Sequence, residues 1–280
     1  MKSFEASFRS TVNKKSPLAQ HALGVQPNVC AMLSSPILAI IVVISLVAAT
    51  SVHSAAGDFQ GTPAGERVPG RMGFISGTVS VAGIHQPPKP LPVFKNRSFC
   101  GPRVSNETLL VGRHGGLQNA ILTFHPLDRR ADAQPMKLVL DNKQCAFAPH
   151  VQVATVGSDV LLKNSDPILH TVHARVGSET LFNVGLPTWR QVTKRLDRVG
   201  LIRIDCDVLH TWMSAIILVT RTPYFAISDE SGKFAVNHLP PGQYQVEVWH
   251  EKLGIKSMTM ATDGDKSIFL EIVYALNGKS

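Results

Sequence analysis

From residue 74 to residue 274 the chain is a succession of short β-prone runs cut by turn residues. That pattern leaves few folds open. Residues 74–81 (FISGTVSV) alternate apolar with small or polar residues, and further runs follow at 120–124, 137–140, 151–155, 160–163, 201–204, 215–220, 234–236, 244–249 and 268–274. Gly115-Gly116, Gly157-Ser158, the stretch 229–232, Pro240-Pro241-Gly242 and Asp263-Gly264 stand between them. These residues supply positive φ, a fixed φ or a side chain that closes a turn on the backbone. No segment after residue 56 carries an apolar 3.6-residue period of helical length. The chain is therefore expected to be all-β, a sandwich or barrel. With 44% hydrophobic residues it has ample material for a packed core, which excludes wholesale disorder. The proline-rich stretch 86–90 predicts a surface connection, because proline cannot donate to a central ladder.

The N-terminal segment reads as an address. Residues 36–49 (PILAIIVVISLVAA) are uncharged, Lys2, Arg9, Lys14 and Lys15 precede them, and small residues follow at 51–56. A basic start, a short apolar run and a small-residue site describe a secretory signal peptide, with Val52/Ser54 or Ser54/Ala56 before the cut. The uncharged stretch 31–52 is also long enough to span a bilayer, so an uncleaved signal-anchor is the alternative. Met32 is a candidate internal start. In either case the basic flank predicts that the chain beyond about residue 56 lies outside the cytoplasm, in the periplasm or an equivalent space. Contact with a membrane is expected only if this segment is uncleaved. Cys30 precedes the apolar run and is no lipidation cysteine at a cleavage site. Residues 57–71 are rich in Gly, Pro and polar residues and predict a flexible lead.

Loss of residues 1–56 removes four basic residues and one acidic one, so the net charge of +8 becomes +5. There is no basic run and no interleaved aromatic series, so nucleic-acid binding has no support. The exported part keeps Cys100, Cys145 and Cys206. Three is odd, and in an oxidising compartment a leftover thiol needs something to hold it, such as a metal.

Cys206 has the unusual neighbours. Residues 204–213 read IDCDVLHTWM, which places Cys206, His210 and Met213 within eight residues and between two strand candidates. Upstream, His170 follows the strand candidate 160–163. Two imidazoles, one thiolate and a weak thioether are the ligand set of a mononuclear copper electron-transfer site. Thiolate and thioether suit Cu(I), imidazole suits both oxidation states, and a tight loop with three ligands limits rearrangement when the charge changes. His173 is a rival to His170, but on a strand the two face opposite sides. Trp212 either shields such a site, faces a redox partner or simply packs. His150 reads as a structural or surface residue.

The pattern Asn164-x-Asp166-x3-His170 followed by Cys206-x3-His210-x2-Met213 resembles the cupredoxins. The run 206–215 with Thr222-Pro223-Tyr224-Phe225-Ala226 is similar to exported bacterial proteins labelled methylamine-utilisation or plastocyanin-like. Residues 228–234, 239–244 and Trp249-His250-Glu251 resemble the carboxypeptidase-regulatory-like and rhamnogalacturonan-lyase accessory β-modules. The resemblance implies His170, Cys206, His210 and Met213 as ligands of one copper ion. Three residues between Cys206 and His210 match the second half of a binuclear purple-copper loop. That loop needs another cysteine where Ile202 stands, so a single ion is expected. A blue, red, green or Cu(I)-only site stays open. With Cys206 so assigned, Cys100 and Cys145 are the natural disulfide, the alternative being two buried free thiols.

The expected organisation is a cupredoxin-like sandwich at 136–220 inserted in a second small β-sandwich made of strands from 74–135 and from 221–280. The expected function is single-electron transfer between extracytoplasmic redox proteins, a cytochrome being one such partner. A Cu(I) carrier, a carbohydrate-binding accessory module and a structural envelope protein are the alternatives. Trp249 alone is a poor sugar platform. No G-x-S-x-G, H-E-x-x-H, P-loop or dinucleotide fingerprint is present, so the chain is not expected to be an enzyme.

Overall fold

The computed structural model describes residues 72–276 except 84 and 132. The expected signal segment and the flexible lead at 57–71 lie outside the described residues. Along the chain the strands are β1 (Gly73–Ala82), β2 (Leu91–Pro92), β3 (Arg103–Val104), β4 (Ile121–Pro126), β5 (Lys137–Lys143), β6 (Ala146–Ala148), β7 (Val151–Thr155), β8 (Ser158–Asn164) and β9 (His170–Val176). They continue as β10 (Glu179–Leu186), β11 (Gln191–Leu196), β12 (Gly200–Asp205), β13 (Ser214–Thr220), β14 (Phe225–Ile227), β15 (Lys233–Leu239), β16 (Gly242–His250), β17 (Gly254–Thr262) and β18 (Ile268–Ala275). One short helix, α1 (Arg97–Cys100), interrupts them. The all-β expectation holds. Among the described residues no helix is long and apolar enough to cross a membrane.

Two pairs of sheets form. A five-stranded sheet (β10-β9-β12-β13-β7) faces a four-stranded one (β11-β8-β5-β6). Strand β8 alternates strictly, with Ser158, Val160, Leu162 and Asn164 buried. Its Val160 and Leu162 meet Val172, Ile202, Ile217 and Phe147 in one core. Each such side chain, once fully buried, contributes roughly 1.5–3 kcal/mol. The stretch 91–104 precedes β4 in the chain yet packs on this same core through Leu91, Val93, Cys100 and Val104. The second pair sets β15-β1-β18 against β14-β4-β16-β17. Its core joins Ile75, Val79, Leu122, Phe124, Val246 and Ile272. Strands from both ends of the described chain meet here, since β1 pairs with β15 antiparallel and with β18 in parallel. Residues 137–220 leave this sandwich after β4 and return at β14, which pairs with β4. A third cluster, of Ile121 with Val151, Val153 and Ile216, joins the outer faces of the two sandwiches.

Strand β1 is central, and its Gly77 has no room for a side chain. A Cβ there would lie 2.1 Å from the Leu270 carbonyl oxygen and 2.7 Å from the Phe234 ring. Gly77→Ala is therefore expected to destabilise the protein by roughly 3 kcal/mol, because neither a ladder carbonyl nor a core ring can step aside. Urea unfolding measures it, and a loss below about 1 kcal/mol would show that the sheet yields there.

Candidate metal centre

The site stands where one strand begins and another hairpin turns. Strands β12 and β13 pair down to Asp205 and Ser214, so residues 206–213 form a loop closed at its base by a ladder pair. The Met213 amide donates to the His210 carbonyl inside this loop (2.9 Å). On the other edge of β12, Asp205 pairs with His173 of β9, which draws the start of β9, His170, beside Cys206. His170, Cys206 and His210 are thereby gathered into one buried group. His170 and His210 are fully buried, and Cys206 and Met213 nearly so.

The donor atoms converge. The two Nδ1 atoms of His170 and His210 lie 3.1 Å apart. The Cys206 Sγ lies 3.9 Å from the first and 3.7 Å from the second. Nitrogen and sulfur ligands bound at roughly 2.0–2.3 Å to one ion stand no more than about 4.5 Å apart, so all three separations fit a single ion. The outer edges of both rings are committed. His170 Nε2–H donates to Asp166 Oδ2 (2.9 Å), and a carboxylate can only accept. His210 Nε2–H donates to Asn96 Oδ1 (2.9 Å). Each neutral ring thus turns a bare Nδ1 lone pair toward the other. Two lone pairs facing at 3.1 Å repel unless a cation lies between them, which is the fit that a metal site requires.

Electrostatics keep both rings neutral. Burial pushes His170 below its ordinary value against the pull of Asp166. Burial, the neighbouring His170 and the Lys95 charge push His210 down to about 4. Neutral imidazole is the form that ligates. The Cys206 sulfur accepts from the Thr171 amide (3.4 Å) and lies 3.7 Å from the Thr171 hydroxyl, contacts that fix its place beside β9. The same hydroxyl accepts from the Asp207 amide (2.6 Å) and so ties the ligand loop to β9.

His173 turns to the other face of β9 and is engaged by Asp207 (2.9 Å) and Thr180 (2.8 Å), so it stands outside the group. Trp212 points inward. It is 8% exposed, its ring centroid lies 5.0 Å from that of His210, and its Nε1–H donates to the Cys145 carbonyl (2.9 Å). It packs and excludes water rather than offering a surface platform. Cys100 and Cys145 are joined by a disulfide, Cα atoms 5.6 Å apart, and Cys206 is the free, buried cysteine of the described chain. His150 is buried and bridges the sandwiches, between the Ser214 carbonyl and Glu251. Asn96 escapes sequence reading altogether. It lies 114 residues from the ring it holds, and only its left-handed backbone (φ 57°) marks it.

No protein-family model matches the sequence, and no curated protein matches it. Solved structures do. A purple cupredoxin from Nitrosopumilus maritimus is 20% identical over 30% of this chain and 99% of its own, with a TM-score of 0.27. A reduced amicyanin variant is 18% identical over 36% of this chain and 99% of its own, with a TM-score of 0.27. A copper-containing nitrite reductase from Thermus scotoductus is 21% identical over 34% of this chain and 25% of its own, with a TM-score of 0.28.

Proposed function

We propose that this protein is an exported carrier of single electrons built around one copper ion. His170, Cys206 and His210 would be the strong donors, with Met213 as the weak fourth. The observation that carries this reading is the convergence of two bare Nδ1 lone pairs and one sulfur on a single buried point. A His2Cys set with a weak thioether is the ligand pattern of copper electron-transfer sites. Copper held there would supply a one-electron couple between Cu(I) and Cu(II).

The chain's own part is to hold the donors still and dry. The ladder pair at Asp205 and Ser214 fixes the loop ends, Asp166 and Asn96 orient the rings, and Trp212 shields His210. Donors that do not move between oxidation states keep the reorganisation cost of electron transfer low. Burial of every donor supports transfer through the protein to an extracytoplasmic redox partner, such as a cytochrome, rather than turnover of a bound substrate. Adding Cu(II) to the purified full chain is expected to saturate at one equivalent. Reduction and reoxidation should then cycle with the metal retained. Uptake without cycling would replace the electron carrier by a copper carrier, and no stoichiometric uptake would sink both.

A further inference from the structure

The buried state of His210 depends on a piece of chain that comes from far outside the ligand loop. Asn96 accepts from His210 Nε2, and Asn96 is held from several sides. The Cys100 and Phe99 amides both donate to its carbonyl (2.9 and 3.0 Å). Val93 anchors the strap in the core, its amide donating to the Pro102 carbonyl (3.1 Å). Four residues after Asn96, Cys100 is bonded to Cys145.

Cys145 is a junction. Its amide donates to Asp166 Oδ2, the oxygen that accepts from His170 (2.8 Å). Its carbonyl accepts from Trp212, which lies between His210 and Met213 in the loop. Its sulfur ties down the strap that carries Asn96. One fully buried residue therefore touches the supports of both imidazoles.

We propose that Asn96 is a positioning residue for His210, fixing the Nε2–H tautomer that leaves Nδ1 free for the metal, and that the Cys100–Cys145 bridge holds Asn96 in place for that task. This deepens the copper reading and rests on it for its purpose. The tautomer, however, is a property of the metal-free chain. A neutral imidazole without a fixed acceptor samples both tautomers, and only one of them ligates through Nδ1. Partners of this kind, when removed, typically cost 10–100-fold in metal affinity.

The test uses the full chain with Asn96→Ala, Asn96→Asp, and Cys100→Ser with Cys145→Ser. Long-range proton–nitrogen NMR of the metal-free proteins at pH 7 reads the His210 tautomer. Copper release to a chelator is followed separately. The wild type is expected to show Nε2–H alone. Asn96→Ala and the bridge-less variant should show both tautomers and release copper about 10–100-fold faster. Asn96→Asp, which keeps an acceptor at that place, should restore the single tautomer. A pure Nε2–H ring in Asn96→Ala overturns the role of Asn96. A pure Nε2–H ring in a folded bridge-less variant overturns the role of the bridge. If the bridge-less chain does not fold, Asn96→Ala still decides the first claim, and a wild type that takes up no copper overturns the copper reading while leaving the tautomer result to stand.

Discussion

Cys206→Ser is expected to abolish the intense visible absorption of the copper-loaded protein. The band expected there is thiolate-to-copper charge transfer, and Cys206 is the free cysteine of the described chain. A serine hydroxyl in the same place ionises far less readily and gives no such transition. The two neutral imidazoles remain, so weaker Cu(II) binding through nitrogen should persist, with the larger hyperfine splitting of an ordinary copper centre. His173→Ala is the control. Its ring faces away from the site, engaged by Asp207 and Thr180, and its loss should leave the band unchanged. A band that survives in Cys206→Ser, or one that vanishes in His173→Ala, would mean that the donor set is wrong. Electron paramagnetic resonance on the same samples separates a blue-type site from a red or green one.

The second large effect concerns the joint between the sandwiches. His150 donates from Nε2 to Glu251 (2.8 Å) and from Nδ1 to the Ser214 carbonyl (2.9 Å), with Glu107 3.9 Å away. Donation from both nitrogens requires the protonated ring. Burial opposes that charge, but the Glu251 hydrogen bond and charge, aided by Glu107 and Ser214, outweigh it and raise His150 above 6.5. Burial likewise opposes the Glu251 carboxylate, and the bond and charge from His150, aided by the Lys252 and Arg203 charges, outweigh it and lower Glu251 below 4.5. The His150 contribution is fully present below 6.5 and is lost as the pH rises through the raised value. The Glu251 contribution is present above 4.5 and is lost as the pH falls through the lowered value. The joint is therefore strongest between 4.5 and 6.5. His250, pushed down to about 4 by burial, is neutral in the upper part of that window.

Removing one partner of a buried pair costs roughly 3 kcal/mol or more, because the other charge is left without compensation. His150→Leu is expected to cost that much at pH 6 and clearly less at pH 8.5, where the wild type has already lost part of the contribution. Urea unfolding of the metal-free protein across that range measures both. His150→Leu with Glu251→Leu should recover most of the loss, since neither charge is then stranded. Equal losses at both pH values would refute the charged pair.

The contrast between these two sites follows from how far apart in the chain their parts lie. Strands buried on one face and partly exposed on the other announce themselves by alternation, as in β8, where every second residue is buried. Strands β10 and β17, at the edges of their sheets, are largely exposed and carry no such signal, so they were not legible. Strand β9 alternates as well, but a histidine heads its inward set, which leaves only Val172 and Ala174 as its apolar signal.

What the sequence determined by itself was local. The all-β class follows from a period of two residues with turn residues at short spacing. Two of the three gathered donors, Cys206 and His210, stand four residues apart in one loop, and parity along a strand separates His170 from His173. These are short-range facts, set by bond geometry and side-chain type. Only the tertiary structure brought Asn96 across 114 residues to His210 and placed Glu251 against His150. No local rule encodes such contacts. They arise where two packed sheets leave a buried polar atom that must find a partner, and whichever distant segment covers it supplies one.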